Sequence, residues 1–347
     1  MPFHELVGNP HMHTPFSDGE WYHAQIAEAA AAAGLDFIIT TDHNVWVNGP
    51  EGYHGGVLVL VGEEVHDNRR QPQANHLLIY GAETEMSQCA GSPQGLIDAA
   101  RERNALTFLA HPLDPPLDFV NEESLSWVDW EVERYTGIEM WNYMTEFKAR
   151  IPNRLLALWY AFNPRSAIRG PFRQTLAIWD SLLARGRRVA AIGGADAHGS
   201  TYTLGPISRT LFPYAYLFRC VNVHLLIERP LKRDVSADKQ SIYTALAQGR
   251  GWIGYDLIGS TRGFRFAARS MTNSAGIGEE IKRAGAVTFE VETPAAGRIR
   301  LIRAGKGVVA SGRGRRLKYT SADAGAYRVE VTRSGKGWIY SNPIYVR

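Results

Sequence analysis

His11-Met-His13 places two imidazoles two residues apart, a spacing that turns both toward one side of an extended segment. A carboxylate, Asp18, follows in the turn-prone stretch Ser17-Asp18-Gly19. Far downstream, Gly194-Ala-Asp196-Ala-His198-Gly199 repeats the i, i+2 pairing of metal-capable side chains. Between them stand Asp42-His43, Glu63-Glu64, His76 and His111-Pro112. Imidazole and carboxylate together form a ligand set for Zn, Mn or Fe, and the sequence does not choose among these. The chemistry such a set supports is hydrolysis by metal-activated water.

The elements that must position these groups are legible as apolar runs. Phe37-Ile-Ile-Thr-Thr41, Val57-Leu-Val-Leu-Val61, Leu106-Thr-Phe-Leu-Ala110, Gly137-Ile-Glu-Met-Trp141 and Arg188-Val-Ala-Ala-Ile192 read as buried strands. Helical stretches over 20–33, 92–104 and 178–185 fall between them, the first closed by Gly34. Strands of this kind alternating with helices predict an α/β fold with a parallel sheet covered on both faces. About seven such units without a dinucleotide fingerprint favour a barrel. His13, His43, Glu64, His111 and Asp196 fall at or just past the C-terminal end of an apolar run, whereas His76 precedes one. Strand ends at one face are where α/β barrels build their sites.

The remainder of the chain behaves differently. Segments 286–292, 298–303 and 327–331 alternate with period two, as strands of a small all-β, sandwich-like unit do. The organisation expected is a barrel over 1–235, a connecting helix and linker over 236–264, and the β unit over 265–347. All eleven histidines lie between His4 and His224, and the segment from Arg250 onward carries a charge of +11 against −8 for the rest. The cluster Arg313, Arg315, Arg316 and Lys318 invites a nucleic-acid reading, but no aromatic residues alternate with these charges as a stacking platform requires. No nucleic-acid partner is expected. The basic unit is read as docking on the acidic barrel or forming a subunit contact, with a homo-oligomer in view. Two cysteines make no disulfide framework, and no basic, apolar leader opens the chain. No apolar run approaches the roughly 20 residues that span a bilayer, so a cytoplasmic protein with no membrane partner is expected.

These motifs, in this order, resemble the PHP superfamily, named for its polymerase-associated and histidinol-phosphatase members. The resemblance rests on His11-Met-His13-Thr14, Ser17-Asp18-Gly19, Thr41-Asp42-His43-Asn44, Gly62-Glu63-Glu64-Val65, His76, Ala110-His111-Pro112 and Gly194-Ala-Asp196-Ala-His198, and covers about residues 9–200. Gly62–Val65, Ile138–Asn142, Gly249–Trp252 and Trp338–Pro343 resemble the CehA/McbA-type branch. The resemblance implies a distorted (β/α)7 barrel holding two or three divalent metal ions. One ion would take His11, His13, Glu64 and Asp196. A second would share Glu64 and take His76 and His111. A third would take Asp18, His43 and His198, although many relatives carry histidine where Asp18 stands. The family spacing Gly-x-Glu selects Glu64 over Glu63. Asp42 and Glu139 would orient ligands.

The expected activity is hydrolysis of a small-molecule phosphate ester through a metal-bridging hydroxide. Asp18, Asp42 and His198 are the candidate catalytic groups for proton handling. Lys148, Arg150, Arg154, Arg165, Arg169 and Arg173 occupy a stretch free of acids between Glu146 and Asp180, and Arg150, Arg165, Arg169 and Arg173 are the candidates for the phosphate. Three alternatives remain open: hydrolysis of a carboxylic ester, amide or carbamate; a 3′–5′ exonuclease; and a non-catalytic metal-bearing scaffold whose β unit mediates interactions. His4, His23, His54 and His224 are read as ordinary histidines without chemistry.

Overall fold

The expected strands form as Phe37–Thr40, Val57–Val65, Leu77–Tyr80, Leu106–Leu109, Gly137–Asn142 and Ala190–Gly194, preceded by His4–Asn9. The structure is a computed structural model that describes residues 3–118, 121–204, 207–283 and 285–347. Five of these strands are buried along their whole length, as strands covered on both faces must be. Between them, His23–Ala33 is an Ala-rich helix that stops at Gly34, whose left-handed backbone (φ 80°) a residue with a Cβ would resist. Helix Pro93–Glu102 starts on Ser92, whose side chain accepts from the Gly95 amide, with Pro93 in the first turn.

Two features correct the all-parallel barrel. Leu77–Tyr80 runs antiparallel to both neighbours, Val57–Val65 and Leu106–Leu109, while the flanking ladders are parallel. This explains the odd position of His76. On a reversed strand the N-terminal end lies at the face where the neighbours' C-terminal ends lie. The second feature is that the sheet is not closed: among the described residues no ladder joins Ala190–Gly194 to His4–Asn9 or to Val221–Ile227. The gap is spanned at the site end by a single parallel bridge, Met12 to Ala197. The Asp196 amide donates to the His11 carbonyl at 3.0 Å, and the His13 amide to the Ala197 carbonyl at 2.9 Å.

Beyond this, Val221–Ile227 pairs antiparallel with His4–Asn9, and Gly251–Tyr255 pairs with Val221–Ile227 on one edge and Lys336–Ser341 on the other. The sheet therefore continues without a break into the C-terminal strands. Val287–Arg303 is one long strand where two were expected, its register broken between Glu292 and Gly297, and it pairs with Gly307–Ser321 and Gly325–Arg333. A second apolar cluster, including Phe266, Phe289, Tyr327 and Trp338, lies among these strands. Arg328 ties them to helix Arg173–Ala184. Its guanidinium, 2% exposed, makes two 2.7 Å bonds to Asp180 and one to Glu330. No helix among the described residues is long and apolar enough to cross a membrane.

Candidate metal centre

Glu64 is the hub of the site. Val57–Val65 is extended, so neighbouring side chains face opposite ways. Glu63 accepts from the Met86 amide at 2.9 Å, while Glu64 points to the strand-end face. The two oxygens of Glu64 are divided between two groups of imidazoles. Oε2 lies 3.0 Å from His11 Nε2, 3.3 Å from His13 Nε2 and 3.5 Å from His43 Nδ1. Oε1 lies 2.9 Å from His76 Nδ1 and 3.0 Å from His111 Nε2. Asp196 Oδ1 completes the first group at 3.1 Å from His13 and 3.4 Å from His11.

A third grouping sits nearer the opening. Asp18 Oδ2 is 3.3 Å from His198 Nε2 and 3.8 Å from His43 Nε2, and its other oxygen is 3.7 Å from His13 Nδ1. One ligand atom from each of His13, Asp18, His43 and His198 lies within 4.8 Å of the others, and the same holds for His11, His13, Glu64 and Asp196 and for Glu64, His76 and His111. The three sets implied by the resemblance are thus brought together, with His13 added to the third.

Two candidates act on other residues. Glu139 accepts from His11 Nδ1 at 2.9 Å, from the His111 amide at 2.9 Å and from Asn142 at 3.0 Å, which fixes the His11 ring. Asp42, a candidate catalytic group, is placed elsewhere. Its carboxylate is occupied by the Thr14 amide at 2.7 Å, the Thr14 hydroxyl at 2.8 Å and the Ser17 hydroxyl at 2.8 Å, and it does not line the cavity. Asp42 holds the loop that carries His13 and Asp18. The close packing leaves no room for a side chain at Gly194, where a Cβ would meet Glu139 at 2.5 Å and His11 at 2.6 Å. His111 and Asp196 have left-handed backbones, φ 26° and 54°, a strain of order 1–3 kcal/mol each that surrounding bonds must hold.

The electrostatics call for cations. Burial opposes charge on His13 and His111, yet hydrogen bonds to Asp196 and Glu64 lift His13 to about 10, and Glu64 lifts His111 to about 9. Burial likewise opposes charge on His11, but Glu139, Asp196 and Glu64 raise it well above the usual imidazole range. Glu64 and Asp196 remain ionised against burial because these imidazoles surround them. His13 Nδ1, His43 Nδ1, His76 Nε2 and His111 Nδ1 are buried without a hydrogen-bond partner, an arrangement that costs about 1–3 kcal/mol per group. A donor set of mixed nitrogen and carboxylate oxygen with lone pairs left over fits divalent metal ions.

Sequence reasoning missed His66. Its ring stacks on His76 at 4.2 Å and meets His43 edge-on at 5.1 Å. The signal was present, since Glu64 and His66 stand two apart at a strand end and so share a face.

A cavity of about 450 Å³ opens over the centre. Asp18, His43, Glu64, His76, His111, Asp196 and His198 form its floor, and Leu117, Met144, Phe147, Ile151 and Phe212 form an apolar wall. Of the basic stretch only Lys148 lines it, paired with Asp114 at 2.5 Å and Glu122 at 2.7 Å. The four proposed phosphate arginines do not line it. Arg150 pairs with Glu146 at 3.3 Å, Arg165 donates to the Leu257 carbonyl at 2.7 Å, and Arg169 and Arg173 are exposed. Glu146 is buried and accepts the Arg169 and Gly170 amides at 2.7 and 3.0 Å.

No family model matches the chain, and no curated protein matches it. The chain is similar in structure to three solved proteins. One is a two-domain protein from Bacteroides vulgatus containing a predicted PHP-like metal-dependent phosphoesterase, 16% identical, covering 98% of this chain and 95% of its own, with a TM-score of 0.47. Another, a protein from Bifidobacterium adolescentis assigned as a metal-dependent phosphoesterase, is 16% identical and covers 59% of this chain and 92% of its own, with a TM-score of 0.35. An amidohydrolase from Chromobacterium violaceum is 12% identical, covers 66% of this chain and 96% of its own, and has a TM-score of 0.28. At these TM-scores the site geometry, and not the likeness, carries the functional reading.

Proposed function

We propose that the protein is a metal-dependent phosphoesterase acting on a small-molecule phosphate ester. The observation that carries this reading is the division of Glu64, one oxygen facing His11, His13 and His43 and the other facing His76 and His111. His11, His13, His43, His76, His111 and Asp196 around this carboxylate would hold divalent cations, which would supply an activated water and charge neutralisation for displacement at phosphorus. Divalent ions held there would lower the pKa of water to near neutrality and screen the phosphoryl oxygens.

The chain's own groups supply the rest. Glu139 fixes the His11 ring, and Asn142 reaches Asp196 Oδ2 at 3.2 Å, so both ligands are preorganised. To Asp18 and His198, 3.3 Å apart and lining the cavity, we assign the transfer of a proton to the departing oxygen. The apolar wall excludes water from the organic part of the ester. Chelation followed by reloading with Zn, Mn or Fe tests the reading with p-nitrophenyl phosphate. Activity that vanishes on chelation and returns with metal is expected. Activity indifferent to complete metal removal, or cleavage of an aryl carbamate in preference to the phosphate, refutes it.

A further inference from the structure

Helix Arg154–Phe162 presents a face that a soluble protein ordinarily buries. Leu155, Leu158 and Trp159 are 82%, 61% and 58% exposed, and Phe162, 63% exposed, continues the line. These positions follow i, i+3, i+4, i+7, so they form one stripe along the helix. The opposite face is engaged: Ala157 lines the metal cavity, and Tyr160 packs edge-on against Phe147. The helix therefore walls the cavity with one side and offers apolar side chains with the other.

The sequence around the helix is basic. Arg154, Arg165, Arg169 and Arg173 are exposed, and the chain has no acid between Glu146 and Asp180. Glu146 itself is buried and holds backbone amides. Lys336 adds to the same patch, its ammonium bound to the Arg165 and Ile168 carbonyls. Trp, Phe and Leu on one face of a short helix with arginines around it is the composition of a helix that lies at a lipid interface.

We propose that helix Arg154–Phe162 docks on an anionic lipid surface, its apolar stripe entering the headgroup region while the surrounding arginines meet lipid phosphates. A second copy of the chain fits less well, because a two-fold contact would set this basic rim against itself. A protein partner fits less well too. A nine-residue helix is only about 13 Å long, a small part of the roughly 800 Å² per partner that a stable interface needs. The expectation of no membrane partner came from the absence of a spanning segment, which does not bear on a helix lying at the surface. This proposal is independent of the metal chemistry.

The test is co-sedimentation of the full chain with sucrose-loaded vesicles of phosphatidylcholine alone or of equal parts phosphatidylcholine and phosphatidylserine. Wild type should partition onto the phosphatidylserine vesicles and be released by salt. Leu155→Ser/Trp159→Ser should weaken partition at least about tenfold with an unchanged melting temperature, because both side chains are exposed. Met271→Ser, which removes an apolar side chain 91% exposed in the connection between strands Arg265–Arg269 and Ser274–Gly276, should partition as wild type. Failure of wild type to bind at low salt, or equal binding by the double variant, overturns the proposal. So does a wild-type dimer in light scattering that the double variant converts to monomer, since the stripe is then a contact between copies.

Discussion

Replacing Gly194 by Ala should cost far more than one methyl group ordinarily does. The added Cβ would lie 2.5 Å from Glu139 Oε1 and 2.6 Å from His11 Cβ, where ordinary contact begins at 3.4 Å. One of these neighbours must retreat by about 0.9 Å, the difference between 3.4 and 2.5 Å. Neither is free to do so. His11 is fully buried between Glu139 at 2.9 Å and Glu64 at 3.0 Å, and Glu139 also holds the His111 amide. A displacement near 1 Å in a catalytic group costs about a hundredfold in rate, and overpacking costs about 1–3 kcal/mol of stability. The assay is kcat for p-nitrophenyl phosphate, read beside the metal content of the same preparation. Gly276→Ala serves as the control, its methyl meeting only Glu279 at 3.5 Å. Gly194→Ala with kcat within about threefold of wild type and unchanged metal content would refute the claim that His11 and Glu139 are held at contact distance for catalysis.

Three further outcomes follow from the structure. Burial opposes charge on His224, but Asp256 and Glu5 raise it above the ordinary imidazole value. Its ion pairs therefore stabilise the fold fully below about pH 6.5, and this contribution is lost as pH rises through the higher folded value; urea unfolding at pH 6 and pH 9 should show a loss of stability that is smaller in His224→Gln than in wild type. Arg328→Met should destabilise by about 3 kcal/mol in chemical denaturation, because Glu330 and Asp180 lose a buried partner; a cost under about 1 kcal/mol would show that the pair is not holding the C-terminal strands to helix Arg173–Ala184. With His13 near 10 and His111 near 9, metal loading at neutral pH must displace their protons, and affinity must fall as pH falls. Calorimetry in two buffers of different ionisation heat should read proton release, and an absence of release would mean that neither ring is a ligand.

Much of the centre was legible because chemistry and strand ends coincide. His13, His43, Glu64, His111 and Asp196 each follow an apolar run, and the structure brings all five to one face. What sequence could not show is strand direction. An apolar run of four residues such as Leu77–Tyr80 carries the same pattern whichever way it runs, so the antiparallel pairings and the open sheet were invisible. Side-chain direction was equally hidden for Arg150, Arg165, Arg169 and Arg173, none of which lines the cavity. Residue type shows affinity for phosphate but not where a long side chain ends: Arg150 pairs with Glu146, and Arg165 donates to the Leu257 carbonyl. Asp42 shares its motif with His43, yet its hydrogen bonds to Thr14 and Ser17 make it a support for the loop.

The central claim is that Glu64 holds two metal ions with one carboxylate. Inductively coupled plasma mass spectrometry of wild type and Glu64→Gln, purified and loaded identically, tests it most directly. The account predicts at least two divalent ions per wild-type chain and loss of both in the variant, since the five imidazoles around Glu64 lose their shared anion together. A Glu64→Gln protein that is folded and keeps the wild-type metal content would contradict it.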